Sequence, residues 1–176
     1  MATIHEDVED IAACVREGRP PRAGARYRVE LGDEFLNYHP AVIDDAQPTA
    51  RQLIELGGRR SIEEHLVIAV KPNGRLNALN LDETVDLLTD GVERFLIFRS
   101  DALYRFTLDG DEFVWGAPGI RGDVLKALAK VDAATYGVWL EVHGGEDRPV
   151  ANDALAPLSP KGLERFFTGT NQTTEG

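Results

Sequence analysis

Apolar positions along the chain change period in a fixed order, and they do so twice. Over residues 26–31 every second residue is apolar (Tyr27, Val29, Leu31), and after Gly32-Asp33 a second short run occupies 35–38. Two such runs around a Gly/Asp turn predict a β-hairpin. The period then lengthens: Leu53, Ile54 and Leu56 share a helical face behind Thr49-Ala50-Arg51-Gln52. In that opening the Thr hydroxyl and the Gln amide can satisfy free backbone N–H groups, and Gly57-Gly58 can end the helix in the left-handed region. The continuous apolar run 66–70 predicts a central strand, the turn Lys71-Pro72-Asn73-Gly74 follows, and 92–99 reads as the last strand.

The second passage repeats these signals. Residues 104–108 and 112–115 form the hairpin, and a helix starts near Gly122-Asp123 with Val124, Leu125, Leu128 and Val131 at helical spacing. Residues 138–142 form the central strand, His143-Gly144-Gly145 the turn, and 163–168 the closing strand. Side by side, 27–35 matches 104–113 with one inserted residue, Leu53 and Leu56 match Leu125 and Leu128, 65–70 matches 137–142, and 91–95 matches 162–166. Four blocks in one order, differing only in loop length, mark an internal repeat. Each copy reads ββαβ(β)β, a helix laid across a mixed sheet, which is the α+β arrangement called β-grasp. The units are placed at 25–99 and 103–168, joined by Ser100-Asp101-Ala102. Residues 1–24 stand outside the repeat, with Val8, Ile11, Ala12 and Val15 spaced for a short helix that ends at Gly18 before Pro20-Pro21. Residues 169–176 are a polar tail without periodicity, expected to be flexible.

Composition narrows the classes of function. The 176 residues carry 19 basic and 30 acidic side chains, a formal charge of −11, which repels nucleic-acid backbones and anionic membranes. Cys14 is the single cysteine, so no internal disulfide can form. The beginning Met1-Ala2-Thr3-Ile4-His5-Glu6-Asp7 lacks an apolar run, and no stretch approaches the length of a membrane span. The expected location is the cytoplasm.

The residues that carry chemistry elsewhere make no site here. Cys14 lies among Glu6, Asp7, Glu9 and Asp10, surroundings that suppress a thiolate, and apolar packing is its expected role. His5, His39, His65 and His143 lack metal-ligand spacing. Asp44-Asp45 and Asp82-Glu83 read as solvated turn acids, and Gly144-Gly145 lacks the helix and Lys-Ser/Thr of a phosphate loop. No catalytic residue, metal or cofactor is expected. Trp139 in its central strand reads as core, whereas Trp115, beside Gly116 and Pro118, reads equally as core or as a partner contact.

The segments 27–31, 50–58, Leu81-Asp82-Glu83-Thr84-Val85-Asp86-Leu87 with 91–95, 113–119, and 136–149 with 162–167 give the chain a further meaning. Across them it resembles the bacterial multiubiquitin proteins, which carry tandem ubiquitin-like domains. The resemblance implies a protein modifier that is not itself an enzyme. Its implied partners are an E1-like activating enzyme that spends ATP, an E2-like conjugating enzyme, a JAB-type deubiquitinase-like protease and a target protein. It also implies Gly176 as the conjugated residue, with Thr173, Thr174 and Glu175 presented to the partner. Fully extended, the nine residues from Thr168 reach about 30 Å. The sequence departs from ubiquitin in three ways: no Gly-Gly pair, an acidic Glu175 before the last residue, and no basic residues ahead of it. Two rivals share the fold, a non-covalent adaptor and a sulfur carrier.

Overall fold

Alternation over Tyr27, Val29 and Leu31 puts three side chains on one face of strand β2 (Arg26–Gly32), and all three are buried. Around that strand the first sheet assembles from β3 (Tyr38–Ile43), β4 (His65–Val70), β5 (Leu76–Leu79) and β6 (Arg94–Arg99) in the order β3-β2-β6-β4-β5. In this order β2 and β6 run parallel and the other pairs antiparallel; a sixth strand, β1 (Val8–Asp10), also lies parallel to β2. The structure is a computed structural model that describes residues 7–162 and 164–171. The chain divides into two units, Met1–Asp101 and Ala102–Gly176.

The second unit has its own sheet of β7 (Tyr104–Leu108), β8 (Asp111–Trp115), β10 (Tyr136–Leu140), β11 (Arg148–Pro149) and β13 (Glu164–Thr170), in the order β8-β7-β13-β10-β11. Again the first and last strands are the parallel pair. Both sheets therefore read second, first, last, third, fourth strand, and both place the last strand at the centre. This is the β-grasp order, so the chain is an α+β protein made of two tandem copies of one fold.

One helix covers each sheet. Helix α2 (Ala50–Leu56) begins with the predicted capping box: Thr49 Oγ1 accepts from Gln52 N–H at 3.2 Å, and Gln52 Oε1 accepts from Thr49 N–H at 2.7 Å. Gly58, at φ 71°, is the left-handed residue after it. Helix α3 (Gly122–Leu128) has no side-chain cap. The two helices nevertheless share a device: a later loop supplies carbonyls to their first N–H groups. Ala50 and Arg51 donate to Glu83 O and Leu81 O, and Gly122 and Asp123 donate to Ala154 O and Asn152 O. The segment after that loop pairs with the residues leading into the helix. In the second unit this pair is β9 (Gly119–Arg121) with β12 (Leu155–Pro157), and in the first it shrinks to a single bridge, Thr49 to Thr84.

Three expectations change. The hairpin match between 27–35 and 104–113 fails after the first strand. In the second unit Asp109-Gly110 makes a two-residue turn with both φ positive, at 51° and 84°, the geometry that suits strand twist. In the first unit Asp33 Oδ1 instead accepts from Phe35 N–H and Asn37 N–H, and Leu36 adopts φ 58°. That loop delays the return strand to Tyr38, so Phe35 stays 38% exposed and Ala41, opposite Val29, takes the position of Phe113, opposite Phe106.

The central-strand match shifts by one residue. Ladder partners equate Val67 with Val138 and Ile68 with Trp139, since Val67 faces Ile97 and Val138 faces Thr168. A one-residue slip exchanges the two faces of a strand, and burial agrees: Val67 and Val138 are both essentially inaccessible.

The N-terminal segment is also more than a helix. Strand β1 (Val8–Asp10) pairs in parallel with the first half of β2, below the point where β6 begins, before helix α1 (Ile11–Glu17). Asp10 caps the helix and Gly18, at φ 64°, ends it. Ile11 is fully buried within the core of the first unit.

Candidate functional site

Alternating β-branched and small residues, Thr168-Gly169-Thr170, carry β13 further than the sequence pattern suggested. Gly169 and Thr170 were expected in the tail; instead they face Gly137 and Tyr136 on β10. Their polarity hid a strand whose partner, β10, starts at Tyr136 and not at Val138. Asn171 N–H then donates to Thr135 O at 2.8 Å. The chain thus remains fixed to the sheet up to Asn171, at the end of the central strand. Thr173, Thr174, Glu175 and Gly176 lie outside the described residues.

On its other side β13 pairs with β7 only from Glu164 to Phe166, which lies opposite Leu108. Asp109 continues that edge. Its N–H donates to Phe166 O at 3.0 Å, its Oδ1 accepts from Thr168 N–H at 2.8 Å, and its Oδ2 accepts from Thr168 Oγ1 at 2.7 Å. The sequence marked Asp109 only as a turn residue; the signal for a wider role, a threonine 59 residues later, is invisible without the fold.

The face of the second sheet turned away from Val138 carries an aromatic platform. Trp139 stacks on Phe167 with ring centroids 5.6 Å apart and planes 15° from parallel. Its indole spreads over Gly137 and Gly169, where a Cβ would come within 2.6 and 3.3 Å of the ring. Trp139 is half-buried, not core as expected. Trp115 corrects the other way. It is fully buried, and its Nε1–H donates to Gly119 O at 3.2 Å, so it offers no partner contact. Its position opposite Tyr104 points it to the core face of the hairpin, and covering such a side chain yields about 5 kcal/mol of gross stabilisation.

Charged groups converge at the N-terminal segment of the first unit. Glu9 is 5% exposed, and its two carboxylate oxygens accept from Arg19 Nη1 and Arg22 Nε, both at 2.7 Å, and from Cys14 Sγ at 3.1 Å. The Arg19 guanidinium above all, then the Cys14 thiol and Arg22, hold the Glu9 carboxyl down to about 2. Burial first, then the bond to Glu9, push the Cys14 thiol up. A buried thiol held protonated is a poor nucleophile. The cluster ties β1 and α1 to the loop after them.

His65 is buried, with Nδ1 3.0 Å from Ser61 O. Among the described residues there is no group of three or more His, Cys, Asp or Glu side chains placed to hold a metal, and no helix is long and apolar enough to cross a membrane. What the described residues do offer is a central strand that carries the chain to the end of the second sheet.

The multiubiquitin family model matches the chain twice, over residues 33–100 and 104–171. No curated protein matches it. The two matches follow one another along most of the chain, each ending at or just after the last strand of a unit. The chain belongs to the multiubiquitin family.

Proposed function

We propose that this protein is a ubiquitin-like modifier of the cytoplasm, a substrate of other enzymes with no catalytic group or cofactor of its own. The observation that supports this reading is the path of β13: the centre of the second sheet carries the chain to Asn171, after which 172–176 have a reach of at most about 18 Å. That is shorter than the sequence pattern implied, so a partner must approach the end of the sheet closely.

In the proposed pathway an E1-like enzyme binds the second unit together with ATP. A carboxylate oxygen of Gly176 attacks the α-phosphorus, pyrophosphate leaves, and an acyl adenylate forms. An enzyme thiol loses its proton and displaces AMP to give a thioester, which passes to an E2-like enzyme. An amine or hydroxyl of the target then displaces that thiol, forming an amide or ester. Glycine suits the last position because the absence of Cβ opens its carboxyl carbon to attack. A JAB-type protease would reverse the final bond. The −11 charge favours partners with basic docking surfaces.

The test mixes the full chain with ATP and an E1-like activating enzyme and reads the intact mass. The expected products are the adenylate and the enzyme thioester. Unmodified protein alongside an enzyme that is active on a control substrate contradicts the proposal. Removal of Gly176 separates the rivals: a modifier loses all conjugation, whereas a non-covalent adaptor keeps its binding.

A further inference from the structure

We infer that Asp109 is a positioning residue for the reaction proposed above, clamping Thr168 so that the chain end leaves the second sheet in one direction. The inference rests on the modifier reading, and the two units differ at the place that carries it. Where β2 meets β6 in the first unit, Gly32 itself extends the parallel ladder opposite Leu96, and the next residue along β6, Ile97, is an apolar core residue. In the second unit the ladder stops one residue sooner, at Leu108 and Phe166. Asp109 stands where Gly32 does and Thr168 where Ile97 does, as the pairings of Val67 with Ile97 and Val138 with Thr168 require. The missing rung is replaced by side-chain chemistry: the Asp109 carboxylate accepts both the N–H and the hydroxyl of Thr168 while its own N–H donates to Phe166 O.

This substitution has a consequence for the chain end. Thr168 is three residues before Asn171, whose N–H is held from the other side by Thr135 O. With one clamp on each edge, the final turn of β13 has little freedom to swing about β10. The strand that carries a carboxylate clamp is the one leading to 172–176; its counterpart β6 leads instead into Ser100-Asp101-Ala102. Asp109 sits at φ 51° as the first residue of its turn, a conformation that aspartate tolerates better than most residues. The two-residue turn sets that φ, and from it the carboxylate reaches both the N–H and the hydroxyl of Thr168.

A clamp of this kind touches neither ATP nor the reacting carboxyl. It lowers the cost of threading the tail into a partner, and therefore acts on KM more than on kcat. Two variants of the full chain test it. Asp109→Gly removes the carboxylate without backbone strain and installs the residue of the first unit. Thr168→Val removes only the hydroxyl, with a side chain close to the isoleucine found there in the first unit. The readouts are amide hydrogen exchange across 166–171 and the steady-state rate of ATP-dependent adenylation by the activating enzyme.

For Asp109→Gly, exchange at Thr168 and Asn171 is expected to accelerate while the rest of the sheet is unchanged, and KM for the modifier to rise on the order of tenfold with kcat retained. Thr168→Val should give a smaller change of the same kind, and Asp109→Asn, which keeps an acceptor for the Thr168 N–H, should recover most of the wild-type KM. Wild-type adenylation with unchanged kinetics in both clamp variants overturns the inference alone. Failure of the wild-type chain to react with an active enzyme overturns the modifier reading and the inference with it.

Discussion

The two units share strand order, helix placement and the carbonyl cap at the helix start, yet they fill their interiors differently. The core face of the first hairpin carries Val29, Ala41 and Ile43; the same positions in the second carry Phe106, Phe113 and Trp115. Phe106 packs 5.6 Å from Phe113 and edge-on against Phe166 at 5.7 Å. Beside Ala41 the first unit has a cleft of about 360 Å³, lined also by Leu31, Leu56 and Ile97. On the opposite sheet face the exchange reverses. The first unit has Leu66, Ile68, Leu96 and Phe98, where the second concentrates the bulk in Trp139 and Phe167 and leaves glycine at 137 and 169. The comparison teaches that the β-grasp topology is set by the alternation of apolar positions, whereas the volume at each position is free to move between neighbours.

That comparison can be broken at its most crowded point first. Phe113→Ala should cost about 3–5 kcal/mol, the range for emptying a buried phenylalanine. Its counterpart is already alanine, so Ala41→Leu should change stability by less than about 1.5 kcal/mol because the cleft receives the added atoms. Urea titration followed by Trp115 fluorescence and by amide exchange in each unit reads both effects. Equal losses at the two positions would contradict the packing contrast.

The helix starts provide the next test. A Cβ on Gly122 would lie 2.2 Å from Ala151 O, a backbone atom that cannot move aside cheaply. Gly122→Ala should therefore cost about 1–3 kcal/mol. At the equivalent residue of the first unit, Ala50→Gly should cost about 1–2 kcal/mol, through helix propensity and the loss of a methyl buried in the core. Smaller again, Thr49→Ala should remove about 1 kcal/mol by breaking the capping box, an effect with no counterpart at Arg121, which makes no side-chain cap.

The last contrast appears only in acid. Glu9 titrates at about 2 in the folded protein, below the roughly 4.3 of an unfolded glutamate. A depressed carboxyl stabilises the fold fully above the unfolded value, and that contribution is lost as pH falls through the folded value. The first unit should thus lose extra stability between about pH 4.3 and pH 2, and Glu9→Gln should remove that extra pH slope. Amide exchange in the first unit across this range is the measurement.

How far these differences could be read in the sequence depended on whether the deciding contact was local. The capping box at Thr49 and Gln52 and the helix start at Gly122 were legible because three or four neighbouring residues settle each, and the repeat because its blocks keep one order along the chain. The delayed return strand was not. Gly32-Asp33 and Asp109-Gly110 look like related turns, and only the Asx bonds of Asp33 to Phe35 and Asn37 send the first hairpin through a longer loop. Trp115 was undecided for a similar reason, since its face is fixed by the register with Tyr104. Strand β1 left no periodic trace because three residues are too few to show one. At the candidate site a closing strand over 163–168 was foreseen, but its extension to Thr170 and the role of Asp109 were not. Both arise from pairing between segments far apart in sequence.

The central claim, that the chain end is chemically joined to other proteins, is tested most directly by what trypsin leaves behind. The final tryptic site follows Arg165. Digestion of material purified from cells that contain the activating and conjugating enzymes should release target peptides bearing residues 166–176 attached through the Gly176 carbonyl to a side chain. Recovery of residues 166–176 solely as a free linear peptide, from cells in which both enzymes are active, would contradict the account.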